Sequence, residues 1–195
     1  MRKIFAHIWG VLILIGLIWA VFLISLVVNL KSWGLVPRSL SGLLGVVTMP
    51  FLHRDVSDLL GNTVPLAVLL LMLRMTRSRP WRILVCLQIG SGVLVWGLGR
   101  SGMHLGAGSL LYAIAAYLIA AGVFEQRPLP IAAAVLVTVL YGTLFWGLLP
   151  TAGSHVFWEG HLLGALFGAV FASRTVERAK TSVRGLWPGK RSRSE

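Results

Sequence analysis

Long apolar runs constrain this chain more than any other feature. Six of them cover residues 8–30, 56–73, 83–98, 105–124, 131–149 and 160–173. A helix needs about 20 mainly apolar residues to cross a hydrocarbon core of roughly 30 Å, and these runs are close to that length. A soluble domain that is 56% hydrophobic and only 12% charged would precipitate. The sequence therefore predicts an all-α membrane protein, a bundle of six transmembrane helices.

The first apolar run follows Met1-Arg2-Lys3, an arrangement that also begins secretory signal peptides. The run of about 23 residues is longer than the apolar region of a signal peptide, and no small-x-small cleavage site follows it. We interpret it as an uncleaved first helix. The single cysteine, Cys86, falls inside a predicted span, so the sequence predicts no intrachain disulfide.

The basic residues indicate the orientation of the chain. Cytoplasmic loops of membrane proteins carry an excess of Lys and Arg. With the N-terminus inside, the inner segments hold most of the 18 basic residues: Arg2, Lys3, Arg74, Arg77, Arg79, Arg82, Arg127, Arg174, Arg178, Lys180, Arg184, Lys190, Arg191 and Arg193. Lys31, Arg38, Arg54 and Arg100 fall outside. This asymmetry predicts that both termini are inside, and it accounts for the net charge of +12.

The predicted organisation is a single membrane domain. Residues 1–30 form the N-terminal tail and first helix, 31–173 the rest of the domain, and 174–195 a basic cytoplasmic tail. A basic tail beside a membrane helix is expected to contact anionic lipid, so we predict the lipid bilayer as its partner and no nucleic acid. The sequence lacks the inverted repeat of a transporter. Its histidines lack metal-ligand spacing and no cysteine pair exists, so we expect no metal and no cofactor.

Polar residues inside the predicted spans are candidates for function, because such groups are costly in lipid. They are Asp58, Asn62, Ser109, Glu159 and His161. At ~1.5 Å per helical residue, Asp58, Asn62, Ser109 and His161 lie about 18–24 Å above the inner membrane boundary. No height is counted for Glu159. Groups from three helices at one depth predict a shared cavity that opens to the outside.

Each of these residues also has a structural explanation. A membrane serine commonly bonds its own backbone, a histidine at a helix end is commonly interfacial, and Asn62 is able to clasp a neighbouring helix. Together, however, a serine and a histidine are suited to nucleophilic acyl transfer. A helix that begins at Ser109 would also supply free backbone N–H groups for an oxyanion.

Four stretches carry a resemblance to a known family. They are 50–53 continuing to 59–62; 99–102 with 104–107; Tyr112, Ala113 and Tyr117; and 158–161 followed by Gly164 and Gly168. In this order they resemble the rhomboid family of intramembrane serine proteases, specifically its bacterial members with six helices. The resemblance implies a location in the bacterial cell (inner) membrane. It also implies a Ser–His dyad that cleaves a protein's transmembrane segment near its outer end.

The resemblance also implies roles for individual residues. It makes Ser109 and His161 the catalytic pair, Asn62 and Asp58 the oxyanion positions, Tyr112 the ring beside the histidine, and Gly164 and Gly168 the small residues between packed helices. Two positions depart from the family pattern. Asp58 stands where the family has a histidine. The family's Gly-Ala-Ser-Gly falls on 106–109, where the sequence reads Gly-Ala-Gly-Ser.

The second departure leaves the nucleophile open. Gly108, four residues before Tyr112, occupies the family's serine position, so Ser109 is displaced by about 100° around a helix unless the helix start rewinds. Ser101, in a Gly-x-Ser-Gly of its own, is a rival, although its predicted height places it outside the core. Two functions therefore remain: an intramembrane serine endopeptidase with an unusual site, and a pseudoprotease that binds transmembrane segments without cleavage.

Overall fold

A computed structural model describes residues 2–150 and 157–186. Seven α-helices are α1 (Arg2–Ser25), α2 (Gly45–Thr48), α3 (Val56–Thr76), α4 (Pro80–Leu98), α5 (Gly108–Glu125), α6 (Pro128–Tyr141) and α7 (Trp158–Leu186). Three 3-10 helices cover Leu30–Trp33, Met49–Phe51 and Gly142–Leu148. Over these residues the only extended pairing is an isolated antiparallel bridge between Leu35 and His104. The prediction of an all-helical fold is confirmed.

The apolar lengths of the helices support part of the predicted six-span arrangement. Four helical segments are long and apolar enough to cross a membrane: Ile8–Ser25, Val56–Thr76, Pro80–Leu98 and Gly108–Glu125. The chain is therefore an integral membrane protein. α6 has 14 residues, which reach only about 21 Å, and its 3-10 continuation adds roughly 2 Å per residue. α7 begins apolar, but its second half is rich in charged residues.

Local sequence signals place the helix boundaries. Pro80 and Pro128 stand at the first positions of α4 and α6, where a missing N–H costs nothing. α1 ends at Ser25, before the predicted end of the first run at residue 30. α7 continues unbroken through the first part of the predicted tail to Leu186. Residues 187–195 of that tail lie outside the described part of the chain.

α5 is the central helix of the bundle. It packs against α3, α4, α6 and α7, most extensively against α7. Within its apolar window 61% of the residues are buried, against 17–33% for the other three candidate spans. The residues at the start of α5 are therefore enclosed by neighbouring helices rather than by lipid.

Two glycines of α7 allow the backbones of α5 and α7 to touch. A methyl group at Gly164 would overlap the carbonyl oxygen of Ser109, and one at Gly168 would overlap the carbonyl oxygen of Ala113. Small residues at helix interfaces permit this approach in membranes, where close van der Waals packing drives association. This contact aligns the first turns of α7 with the first turn of α5.

Enlarging these glycines should separate the helices. Gly164→Ala and Gly168→Ala should each lower the free energy of unfolding by about 1–3 kcal/mol, the usual cost of overpacking. Gly16→Ala in α1 is the matched control, because a methyl group there meets no atom within 4 Å. Unfolding in mixed micelles measures the difference. Equal stability for the α7 variants and the control would contradict the close contact.

The predicted orientation is testable with single cysteines. In a Cys86→Ala background, Ser101→Cys should react with a membrane-impermeant thiol reagent added to intact cells, because the loop after α4 is expected outside. Ser78→Cys, in the loop before α4, should react only after the membrane is opened. Both serines are exposed, so burial does not bias the comparison. The reverse pattern would place the N-terminus outside.

Candidate active site

A cavity of about 460 Å³ opens at the end of the bundle where α3, α5 and α7 begin and α4 ends. Asp58, Asn62, Ser109 and His161, all predicted to share one layer, line it. Glu159, the fifth polar residue, does not line it and instead lies 3.7 Å from Arg100 Nε. Other lining residues come from the loop after α4, including Ser101 and His104.

His161 is held in one orientation by two neighbours. Its Nδ1 lies 3.0 Å from the carbonyl oxygen of Gly147, in the 3-10 helix after α6. A carbonyl oxygen only accepts, so Nδ1 carries the proton, and in the neutral ring Nε2 is left with a lone pair. The ring of Tyr112 stacks on the imidazole, with centroids 4.2 Å apart and planes 11° apart. The Tyr112 contact implied by the family resemblance is therefore present.

Gly108, rather than Ser109, faces this histidine. A methyl group at Gly108 would lie 2.6 Å from His161 Nε2 and 3.0 Å from its Cδ2. The backbone of Ser109 lies against Gly164 of α7 instead. Ser109 is buried, and among the described residues its hydroxyl makes no hydrogen bond. The structure thus brings His161 and Ser109 to one cavity without joining them in a hydrogen-bonded dyad.

Asp58 and Asn62 are engaged with each other at the start of α3. Asp55 caps the helix by accepting from the backbone N–H of Asp58 at 2.9 Å, and Asp58 Oδ2 accepts from the N–H of Arg54 at 3.1 Å. The first contact is the N-cap half of a capping box, and the second ties Asp58 to the residue before the cap. The amide nitrogen of Asn62 donates to Asp58 Oδ1 at 3.0 Å and to the carbonyl oxygen of Asp58 at 2.6 Å. Both acceptors of the Asn62 amide nitrogen therefore belong to Asp58.

Four contacts around the site were not anticipated from the sequence. The carbonyl of Gly147 orients His161, and Phe157 stacks on His104 with ring centroids 3.6 Å apart. Arg100 pairs with Glu159 and lies 5.9 Å from the ring of Phe157. The contacts of His104 and Arg100 tie the loop after α4 to the start of α7, and that of Gly147 ties the segment after α6 to it. Opposite charges at 100 and 159 were the only signal in the sequence for any of them.

Comparison with known proteins identifies the fold. A family model for the Rhomboid domain matches residues 40–178, which is most of the chain and includes all the site residues above. The chain belongs to the rhomboid family. No solved structure gives a significant match.

Curated relatives of this rhomboid protein come from mycobacteria. The uncharacterized protein Rv1337 of Mycobacterium tuberculosis is 34% identical over 149 residues, covering 71% of this chain and 62% of the relative. The uncharacterized protein Mb1372 of Mycobacterium bovis gives the same values. The uncharacterized protein ML1171 of Mycobacterium leprae is 31% identical over 137 residues, covering 66% of this chain and 54% of the relative. The chain thus spans less than two thirds of these relatives' length.

Two histidines of this rhomboid domain are buried outside the helices. His53 is 1% exposed, and neither ring nitrogen makes a hydrogen bond of good geometry within the described chain, although the carbonyl of Phe51 is near. Burial lowers the pKa of His53, and the charge of Asp58 only partly offsets this. Burial likewise lowers the pKa of His104, whose Nε2 donates to the carbonyl oxygen of Arg100 at 2.9 Å.

These pKa shifts predict a loss of stability in mild acid. A histidine whose folded pKa lies below its unfolded value of about 6.5 binds fewer protons in the folded state, so its contribution is complete above that pH and falls as the pH drops through it. Thermal unfolding should therefore occur at lower temperature at pH 5.5 than at pH 7.5. The double variant His53→Phe, His104→Phe should flatten this dependence. If the pH dependence of the unfolding temperature is as large in the variant as in the native chain, other titrating groups cause it.

Proposed function

We propose that this protein is a rhomboid pseudoprotease that binds transmembrane segments of client proteins near the outer face of the bacterial inner membrane without cleaving them. The observation that carries the proposal is Gly108 facing His161 Nε2. Nucleophilic catalysis needs a hydroxyl within about 2.6–3.2 Å of its base. The residue next to the base has no side chain, and the neighbouring hydroxyl of Ser109 makes no hydrogen bond to that base.

The surroundings of Asp58 support the same conclusion. Acyl transfer develops negative charge on an oxygen, which donors such as an asparagine amide must stabilise. Here the amide of Asn62 donates to Asp58, and a carboxylate lies at the family's second donor position. The carboxylate oxygens of Asp58 would lie 3.6 and 3.7 Å from a methyl group at Gly106, in the loop that leads into α5. An oxyanion formed beside this carboxylate would be repelled.

The binding part of the proposal rests on features that do not depend on Asp58 or on the order of Gly108 and Ser109. The cavity of about 460 Å³ is open and lined by polar groups. The stack of Tyr112 on His161 and the contact of α5 with Gly164 and Gly168 keep its walls in place. A client would present its transmembrane segment from the lipid bilayer, and no cofactor is required for such binding.

One observation favours the alternative, an intramembrane serine endopeptidase. The hydroxyl of Ser109 is buried without a partner among residues 2–150 and 157–186, and such a group costs about 1–3 kcal/mol. A one-residue rewinding at the start of α5 would turn it toward His161 and satisfy it. Gly106, at φ +102°, and Gly108 make the backbone there adaptable. In that arrangement Ser109 and His161 would be the catalytic pair.

Labelling by a serine-reactive fluorophosphonate distinguishes the two functions. The native chain should remain unlabelled. Gly108→Ser with Ser109→Gly rebuilds the family's order and should gain labelling once the imidazole withdraws to make room. Adding Asp58→His should raise that rate further, since one oxyanion donor contributes ~10²–10³-fold. Adding His161→Ala to the rebuilt chain should abolish labelling and serves as the matched control.

Three outcomes have different meanings. Labelling of the native chain that Ser109→Ala abolishes would overturn the proposal in favour of the endopeptidase. Labelling that survives Ser109→Ala but disappears with Ser101→Ala would move the nucleophile to the loop after α4. A native chain that stays unlabelled yet is retained by an immobilised transmembrane peptide supports the pseudoprotease.

A further inference from the structure

The basic residues on the predicted outer side gather around the cavity. Arg54 and Arg100 line it. Lys31 Nζ donates to the carbonyl oxygen of Arg54 at 2.7 Å, and Arg38 Nη2 donates to Oγ of Ser101, a lining residue, at 3.4 Å. Positive charge on the outer side runs against the usual distribution in membrane proteins. The concentration of this positive charge around the cavity opening therefore needs an explanation.

The acidic partners of the two lining arginines are turned inward. Asp58 is 14% exposed against 56% for Arg54, and Glu159 is 20% exposed against 42% for Arg100. In each pair the arginine Nε lies 3.7 Å from a carboxylate oxygen. The guanidinium groups are therefore the more exposed members of both pairs.

The backbone adds to this positive potential. The N-termini of α3, α5 and α7 all meet at the cavity, and each carries a partial positive charge. Acidic residues occupy the first turns of α3 and α7, but α5 has none and no side-chain cap. At this end of α5 lies the buried hydroxyl of Ser109, which lines the cavity, has no partner within the described part of the chain, and is able to donate to an acceptor.

We propose that the clients bound by this site carry an Asp or Glu at the outer end of their transmembrane segment, and that its carboxylate pairs with Arg54 and Arg100 at the cavity opening. This inference rests on the proposed binding function and specifies the class of client. A guanidinium group presents a planar fork of donors that matches a carboxylate. A guanidinium carries five N–H donors, so a client carboxylate is able to join each existing ion pair without displacing Asp58 or Glu159. A basic residue at the same place in a client would be repelled.

Peptides that differ in one residue test this preference. The full chain in phosphatidylcholine proteoliposomes is titrated with a labelled leucine-rich transmembrane peptide whose outer end carries Asp, Asn or Lys. The Asp peptide should bind about 2- to 5-fold more tightly than the Asn peptide, the range expected of a solvent-exposed ion pair. The Lys peptide should bind more weakly than both. Higher salt should reduce these differences, since the opening is exposed to solvent.

Charge exchange supplies the matched variants. Arg54→Gln with Arg100→Gln should bring the Asp and Asn peptides to equal affinity, and Arg54→Glu with Arg100→Glu should reverse the preference toward Lys. Arg79→Glu, an exposed arginine at the other end of the bundle, should keep the native preference. Equal binding of all three peptides to the native chain would overturn this inference but leave the proposed function intact. Binding of none of them would remove the proposed function itself.

Discussion

The close contact between α5 and α7 determines which residue of α5 faces His161. Gly164 and Gly168 bring the α7 backbone against the carbonyls of Ser109 and Ala113. At this separation the first turns of both helices face each other, and Gly108 is the residue that lies against His161 Nε2. A shift of one residue rotates a side chain by about 100°. The register of this contact therefore decides whether a hydroxyl or a bare backbone meets the imidazole.

The histidine is fixed in one orientation, but Gly108, the residue that faces it, carries no hydroxyl. The carbonyl of Gly147 fixes the proton on Nδ1, and Tyr112 fixes the plane of the ring. Nε2 consequently points at α5, where Gly108 lies. On the opposite wall, both acceptors of the Asn62 amide nitrogen belong to Asp58. The surroundings of His161 and of Asn62 thus differ from the family pattern in separate ways, and both differences follow from single residues in the sequence.

Much of the fold was predictable from the sequence because apolar length and helix spacing are local properties. The apolar runs located the long helices, and the four-residue spacing from Gly108 to Tyr112 predicted which residue shares a face with the ring beside the histidine. The role of Gly147 was not predictable, because residues 131–149 form one apolar run in the sequence. The carbonyl of Gly147 acquires its role only through a tertiary contact with His161. The Asp58–Asn62 bonds were missed because motif matching aligned both residues with the cavity and ignored their spacing of four within one helix.

The central claim is that Gly108, and not Ser109, lies against His161. An experimental structure of the full chain in a lipid environment, at a resolution that shows side chains, tests it most directly. The account predicts the Gly108 Cα in contact with the imidazole, the Nδ1 atom bonded to the carbonyl of Gly147, and the Ser109 hydroxyl out of reach of Nε2. A hydrogen bond of about 2.6–3.2 Å between Ser109 Oγ and His161 Nε2 would contradict it.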